Sequence, residues 1–287
     1  MVIDAPAAVR RRQITDGDLD AVADLLSRGF PTRTTAWWRR GLARMAARSV
    51  PEGYPRFGTL LESGGRPVGV LLMIVSRVGD GLRCNLSSWY VEPAFAAQSP
   101  LLLNHALRDK AVTYVNVSPA PHTRPIIEAQ GFRPFSRGLL LSLPWLRIGR
   151  EPVRLHRIGG TVPARFADLP EAGLLAAHAG HGCHAVVIEA ADGPHPFVFA
   201  ARRVLNRFVP TTHLIYCRDV ADFVRFAGPL GRYLLLRGCP AVLVDLAGPA
   251  PDLPGRPISL HQTRYSRGPN PPRPGDLAYT EGVIFGP

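Results

Sequence analysis

Apolar residues fall into short periodic runs that alternate between helical and strand spacing. Leu19, Val22, Leu25 and Leu26 follow Thr15 and Asp16 at intervals of three and four, which predicts a capped helix over Asp18–Arg28. Gly29 and Pro31 stop it. Trp37, Trp38, Leu42 and Met45 predict a second helix over Thr35–Ser49, ended by Pro51. Two apolar, β-branched or aromatic runs, Phe57–Glu62 and Pro67–Val78, flank Ser63-Gly64-Gly65-Arg66 and read as a hairpin. A strand over Leu82–Val91, a helix over Pro100–Lys110 and a strand over Val112–Val117 then make a βαβ pattern. A short helix, Pro121–Ala129, closes at Gly131, and Arg137–Leu143 reads as a last strand.

The second half repeats this order. Asp168–Ala179 reads as a helix, and His184–Ala190 with Pro196–Val204 as a hairpin about Ala191-Asp192-Gly193-Pro194. A strand at Thr212–Cys217, a helix at Val220–Arg237 and a strand at Ala241–Asp245 follow. Glu62 to Glu189, Leu82 to Thr212 and Val112 to Ala241 are offsets of 127, 130 and 129 positions. Near-constant spacing over three elements predicts two copies of one unit, residues 1–150 and 151–287, in an α/β (α+β) chain. Each unit is expected to hold a central mixed, twisted sheet flanked by helices. The second copy has no counterpart of the Trp37–Met45 helix and ends differently. Ile258–Tyr265 and Leu277–Phe285 read as closing strands about the proline loop Gly268–Pro272, either a rigid connector or a lid.

Composition narrows the setting more than the chemistry. With 46% hydrophobic residues in 287, the chain can bury a substantial core. No apolar run approaches the roughly 20 residues of a membrane span, and Met1–Gln13 lacks the apolar core of a secretory signal. Cys84, Cys183, Cys217 and Cys239 form no CxxC pair, which fits a reduced, cytoplasmic setting. The net charge of +12 is almost wholly arginine, Lys110 being the sole lysine. Its clusters are not interleaved with aromatics, so a specific nucleic-acid partner is not expected.

The strand ending Val91-Glu92-Pro93, the helix beyond it, the strand Val112–Val117 and the later Gln130-Gly131-Phe132 resemble the acyl-CoA-binding half of a GNAT-type acyltransferase. The resemblance covers residues 10–143, and more loosely 163–286. It implies an acyl transferase that takes acetyl-CoA or another acyl-CoA as cosubstrate and passes the acyl group directly to a small-molecule amine, with no metal. In that family two strands splay to admit the pantetheine arm, and a helix N-terminus holds the pyrophosphate. The matching residues here are Trp89 and Val91 for the arm, and Ala96, Ala97, Gln98, Ser99 and Leu101 for the phosphates. Where the family has a basic or amide side chain and glycines, this chain has Ala96, Ala97, Ser99 and Pro100. A non-catalytic module that binds acyl-CoA, a metabolite or a protein is the alternative. The second copy enters its helix through Arg218-Asp219, whose carboxylate would repel a phosphate, so the cosubstrate is expected in the first half.

Amide-forming transfer needs a base for the amine and a proton for the thiolate. Ile127 stands where the family often has the tyrosine acid. Tyr90 and Tyr114, on the two strands expected to splay, are substitutes for it or else core residues. Glu92 and His122 are the candidate bases, or else a solvated strand end and a helix start. Cys84 reads as a buried thiol. His178, His181, Cys183 and His184 lie close together but match no metal-ligand spacing.

Overall fold

A computed structural model describes residues 8–149, 151–204, 209–258 and 263–286. Residues 1–7 of the N-terminal stretch, and 259–262 of the first closing strand, lie outside the described residues. The chain forms two compact units, Met1–Asn116 with Arg267–Asn270, and Val117–Ser266 with Pro271–Pro287. Residues 117–150, placed by the sequence reading with the first unit, thus pack with the second.

In the first unit the elements are β1 (Arg10–Gln13), α1 (Leu19–Gly29), α2 (Thr35–Ala46), β2 (Gly58–Ser63), β3 (Arg66–Val78), β4 (Gly81–Val91), α3 (Ser99–Ala106) and β5 (Val112–Asn116). The strands lie in that order across the sheet. All neighbours are antiparallel except β4 and β5, which are parallel. The predicted hairpin is β2–β3, whose turn glycines Gly64 and Gly65 have φ of 56° and 77°, the left-handed region where other side chains are strained. Val22, Ala23, Leu25 and Leu26 of α1 are buried, as their spacing requires. Arg12 of β1 ties this start together, donating to both carboxylate oxygens of Asp18 at 2.6 and 2.7 Å and to Glu62 of β2 at 2.8 Å. The Arg12 hydrogen bonds hold the Asp18 carboxyl well below the usual carboxylate range, against its partial burial. Helix α3 is shorter than the spacing predicts, because Leu107 leaves helical geometry before Arg108 and Asp109.

The second unit contains α4 (Arg124–Ala129), β6 (Arg133–Ser136), β7 (Gly138–Ser142), β8 (Arg154–Ile158), α5 (Ala172–Gly180), β9 (His184–Ala190), β10 (Gly193–Val204), β11 (Val209–Cys217), α6 (Val220–Arg225), α7 (Ala227–Leu235), β12 (Ala241–Leu246), β13 (Gly255–Ile258), all but the last residue of β14 (Arg264–Arg267), and α8 (Glu281–Ile284). Seven strands form one sheet in the order β13-β7-β12-β11-β10-β9-β8, and β14 pairs antiparallel with β6. The expected strand Arg137–Leu143 is therefore two strands with different partners: β6 joins β14, whereas β7 lies between β12 and β13. The helix expected over Val220–Arg237 breaks at Phe226, whose ring is buried in the core with Phe197, Phe199 and Phe223. Leu277–Phe285 is not a strand. The chain makes one bridge just before it, at Asp276, and then turns into α8.

The two sheets repeat one local design. β9–β10 and β11–β12 reproduce the antiparallel hairpin and the parallel pair of β2–β3 and β4–β5. The fold class is thus two α/β units, each with a mixed sheet flanked by helices.

At the heart of the second unit Asp245 of β12, 1% exposed, accepts from His213 Nε2 at 2.7 Å and Ser136 Oγ at 3.1 Å, and from Arg264 Nε. Arg264 also donates to the Val117 carbonyl at 2.7 Å. Burial alone would raise the Asp245 pKa, but Arg264 and His213 outweigh it and the group is held below its usual range. Burial pushes His213 down, against the pull of Asp245. Both folded values lie below their unfolded ones, so both groups contribute stability at neutral pH that is lost on acidification. His213 acts first, below an unfolded value of about 6.5. Melting temperature is expected to fall as pH drops from about 7 to 5, and His213→Gln to flatten that dependence. Asp245→Asn leaves Arg264 buried without its carboxylate and should cost about 3–5 kcal/mol in denaturant unfolding.

Candidate functional site

The candidate site is the parallel pair β4–β5. Its ladder pairs Leu82, Arg83, Cys84 and Asn85 with Val112, Thr113, Tyr114 and Val115, and stops there, although β4 runs on to Val91. On its other edge β4 stays paired with β3 as far as Val91, with one extra residue inserted: Val70 faces Tyr90, but Leu72 faces Ser87. β5 itself ends at Asn116, and the bulge bends β4 in the stretch beyond it. It places Ser88 at φ 53°, one of two non-glycine residues with positive φ among the described residues. Where the strands part, the buried Asn85 amide donates to the carbonyls of Leu86 at 2.9 Å and Val115 at 3.3 Å, continuing the ladder with a side chain.

Trp89 and Val91, expected beside a pantetheine arm, lie on β4 past the bulge and are half-buried. The Trp89 indole N–H is buried without a hydrogen-bond partner among the described residues. The segment expected to cradle phosphates is wound tighter than an open loop. Pro93–Gln98 forms a 3₁₀ helix that continues directly into α3, Gln98 being already helical. The amides of Phe95 and Ser99 are occupied by the carbonyls of Glu92 and Ala96. Ala96 and Ala97 are exposed, Gln98 and Ser99 half-buried, and Leu101 is 55% exposed. Without glycine the chain coils into its own hydrogen bonds instead of offering amides to a ligand.

The four catalytic candidates separate. Glu92 accepts from Arg66 at 2.9 Å and Arg28 at 3.1 Å, and these guanidiniums hold its carboxyl below the usual range against partial burial. A carboxylate so paired is a weak base. The Tyr90 ring packs on α1, where a Cβ added at Gly29 would approach it to 2.4 Å, and it lies 6.3 Å from Phe30. Tyr114 is 3% exposed, and burial raises its phenol far above the ordinary value. Its side chain lines a cavity with Cys84 and Val112. His122 is exposed on the turn Pro121–Thr123 of the second unit. Glu92, Tyr90 and Tyr114 thus have separate partners within the first unit.

The second unit has the same divergence and a different occupant. β11 and β12 pair only through Thr211–His213, and β11 carries an extra residue at Ile215, since Val198 faces Tyr216 while Phe199 faces Leu214. The edge of β11 turned away from β10 is taken by Gly275–Leu277: Cys217 N–H donates to Gly275 O at 2.9 Å and Leu277 N–H to Ile215 O at 2.8 Å. Gly275 sits at φ 79°, and a Cβ there would meet Cys217 Sγ at 2.6 Å. Arg273 caps the carbonyls of Cys217 and Arg218. Tyr279 N–H donates to His178 Nε2 at 3.1 Å, and His178 Nδ1 bonds Leu174 O at 2.8 Å. Both nitrogens of that histidine are therefore engaged in holding the segment. The closing strand expected from the sequence begins only at Leu277, and nothing in the pattern of 273–276 marks them as a partner of β11.

No protein-family model and no curated protein matches this chain. Solved structures do. A GCN5-related N-acetyltransferase of Anabaena variabilis is 12% identical with a TM-score of 0.60, over 90% of this chain and 72% of that one. A GCN5-related N-acetyltransferase of Kribbella flavida is 16% identical with a TM-score of 0.55, over 91% and 71%. A Pyrococcus horikoshii protein assigned as an acetyltransferase is 13% identical with a TM-score of 0.55, over 94% and 93%. The chain has the GNAT fold along about nine-tenths of its length.

Ser88 tests the bulge. Ser88→Val puts a β-branched residue at positive φ and is expected to cost about 1–3 kcal/mol. Ser88→Gly should leave unfolding unchanged or raise its midpoint; chemical denaturation reads both.

Proposed function

We propose that the first unit binds an acyl-CoA, with the pantetheine arm in the opening between β4 and β5, and transfers the acyl group directly to a small-molecule amine. The observation that carries this reading is the divergence itself: β4 keeps its partner on one edge and loses it on the other, past a residue in left-handed conformation. A polar, extended arm satisfies such an edge as a strand would. Backbone N–H groups there also suit a thioester carbonyl on its way to a tetrahedral oxyanion. The buried Trp89 indole N–H adds a donor in need of an acceptor. Because the 3₁₀ segment offers few free amides, charge for the phosphates comes from Arg28 and Arg66, which share one carboxylate and leave a net positive charge beside the start of the segment. Acetyl is the acyl group of first choice. Tyr90, on β4 itself, is the proton donor we assign to the leaving thiolate, and the amine enters as its free base. Buried free thiols at Cys84 and Cys217 suit a reducing, cytoplasmic setting.

The second unit does not take part as a binding site, because residues 275–277 hold the equivalent edge of β11. A second reading, a module that binds acyl-CoA without chemistry, is favoured by one feature: the wound segment Pro93–Gln98.

Calorimetry with acetyl-CoA is expected to give a single binding event of one equivalent per chain. Ser99→Asp places a carboxylate in the first turn of α3, where it favours the helix dipole but opposes a phosphate. It should leave thermal stability intact and weaken binding by about tenfold or more. Heat of binding with no transfer of labelled acetyl to a panel of amines selects the non-catalytic reading. No heat with acetyl-CoA or longer acyl-CoAs removes both.

A further inference from the structure

On the α3 side of the first sheet lie two adjoining hollows apart from the β4–β5 opening, one of them lined in part by Gln98 and Leu101 of the segment expected to face the phosphates. One is a cavity of about 200 Å³ between the sheet and the end of α3, with an apolar floor of Met73, Val75, Ala106 and Val112. Thr59, 3% exposed, lines it with a buried hydroxyl that has no hydrogen-bond partner among the described residues. Tyr54 lies at its edge, fixed by a 2.5 Å hydrogen bond from its hydroxyl to Asp109. The other is a groove of about 240 Å³ along α3, lined by Arg11, Gln98, Asn104, His105 and Arg108.

His105 and Arg108 line both hollows. Arg11 and Arg108 form no ion pair among the described residues, and the one carboxylate lining the cavity, Asp109, accepts from Tyr54 and from the Ala111 amide, whereas Arg12, Arg28, Arg39 and Arg66 are paired with carboxylates. The His105 Nδ1 is buried without a partner. The imidazole is held below its usual pKa, first by burial and then by the positive charges of Arg11 and Arg108. Two guanidiniums crowding an imidazole, with amide donors beside them, make an anion site in want of its anion. The apolar pocket opens next to it, with a hydroxyl in want of a partner.

We propose that groove and cavity form one binding site for a small carboxylic acid with an apolar body. The carboxylate lies between Arg11 and Arg108, and the body reaches past His105 toward Met73 and Thr59. Its evidence, the cavity and its unpartnered groups, is separate from that for the acyl-CoA proposal, although Gln98 borders both.

Methionine NMR tests it on the intact chain. The sequence has three methionines, Met1, Met45 and Met73; of the two among the described residues, Met45 is buried in α2 and Met73 lines the cavity. With [methyl-¹³C]methionine labelling, hexanoate is expected to shift the Met73 signal saturably and leave Met45 in place. Arg108→Gln, a change at an exposed position, should weaken binding by about tenfold, and hexanol should bind weaker by a similar factor. Thr59→Val, nearly isosteric, should weaken it less and keep the fold. An unmoved Met73 signal at millimolar hexanoate overturns the proposal. So does equal binding of hexanol, or of hexanoate to Arg108→Gln, since the acid would then go unrecognised. Inorganic phosphate that saturates the site as tightly as hexanoate would overturn the assignment of an apolar body.

Discussion

In each copy the strand that forms the parallel pair outlasts its parallel ladder and carries an extra residue just past the ladder's end. Bulges at Ser88 in β4 and Ile215 in β11 bend each strand where its parallel neighbour no longer pairs with it. The backbone groups so released must find partners, because a buried peptide group left unpaired costs as much as a lost hydrogen bond. In each copy the last residue of the ladder begins the repair with its side chain. Asn85 reaches the carbonyl of Val115, and His213 reaches the carboxylate of Asp245.

From there the copies part company. The second closes its gap with its own chain: Gly275–Leu277 runs antiparallel along β11, and Arg264 and Ser136 saturate Asp245. The sequence devices are specific to that outcome. Glycine at 275 permits both a positive φ and contact with Cys217, and Arg273 and His178 fix the segment on either side. In the first copy the β4–β5 ladder stops at Asn85 and Val115, and β4 continues for six further residues. One design thus yields a sealed unit and a unit whose edge suits an extended polar ligand. That asymmetry is the physical basis for proposing one acyl-CoA, not two, per chain.

Much of this order was legible in the sequence where local signals decide it. The β2–β3 hairpin follows from two apolar runs about Gly64-Gly65, and the repeat from element offsets near 129. What escaped depends on residues far apart in sequence. Arg137 divides β6 from β7 only because their partners, β14 and β12, lie more than 100 positions onward. Glu92 looked like a free strand-end carboxylate until Arg28 and Arg66, 64 and 26 positions away, were found on it. Tyr114 was correctly placed on β5, but alternation along a strand buried on both faces gives no sign of which side it takes. The loss of glycines at Ala96, Ala97 and Ser99 was visible; its consequence, a 3₁₀ coil, required the backbone.

The near absence of lysine belongs to the same argument. A guanidinium is a planar fork that joins two acceptors at fixed angles, which an ammonium on a flexible stem does not do. Arg12 bridges Asp18 and Glu62, Arg218 grips both oxygens of Glu171, and Arg225 joins Glu151 to Asp192. Much of the arginine in a chain of net charge +12 therefore works as local cross-links, not as a polyanion-binding face. Against that background a pair such as Arg11 and Arg108, facing a groove with no carboxylate between them, stands out as charge without a structural task. Positive charge left uncompensated at the rim of an apolar hollow is where an acidic ligand with an apolar body gains most, because the charge draws the carboxylate while the hollow buries the rest.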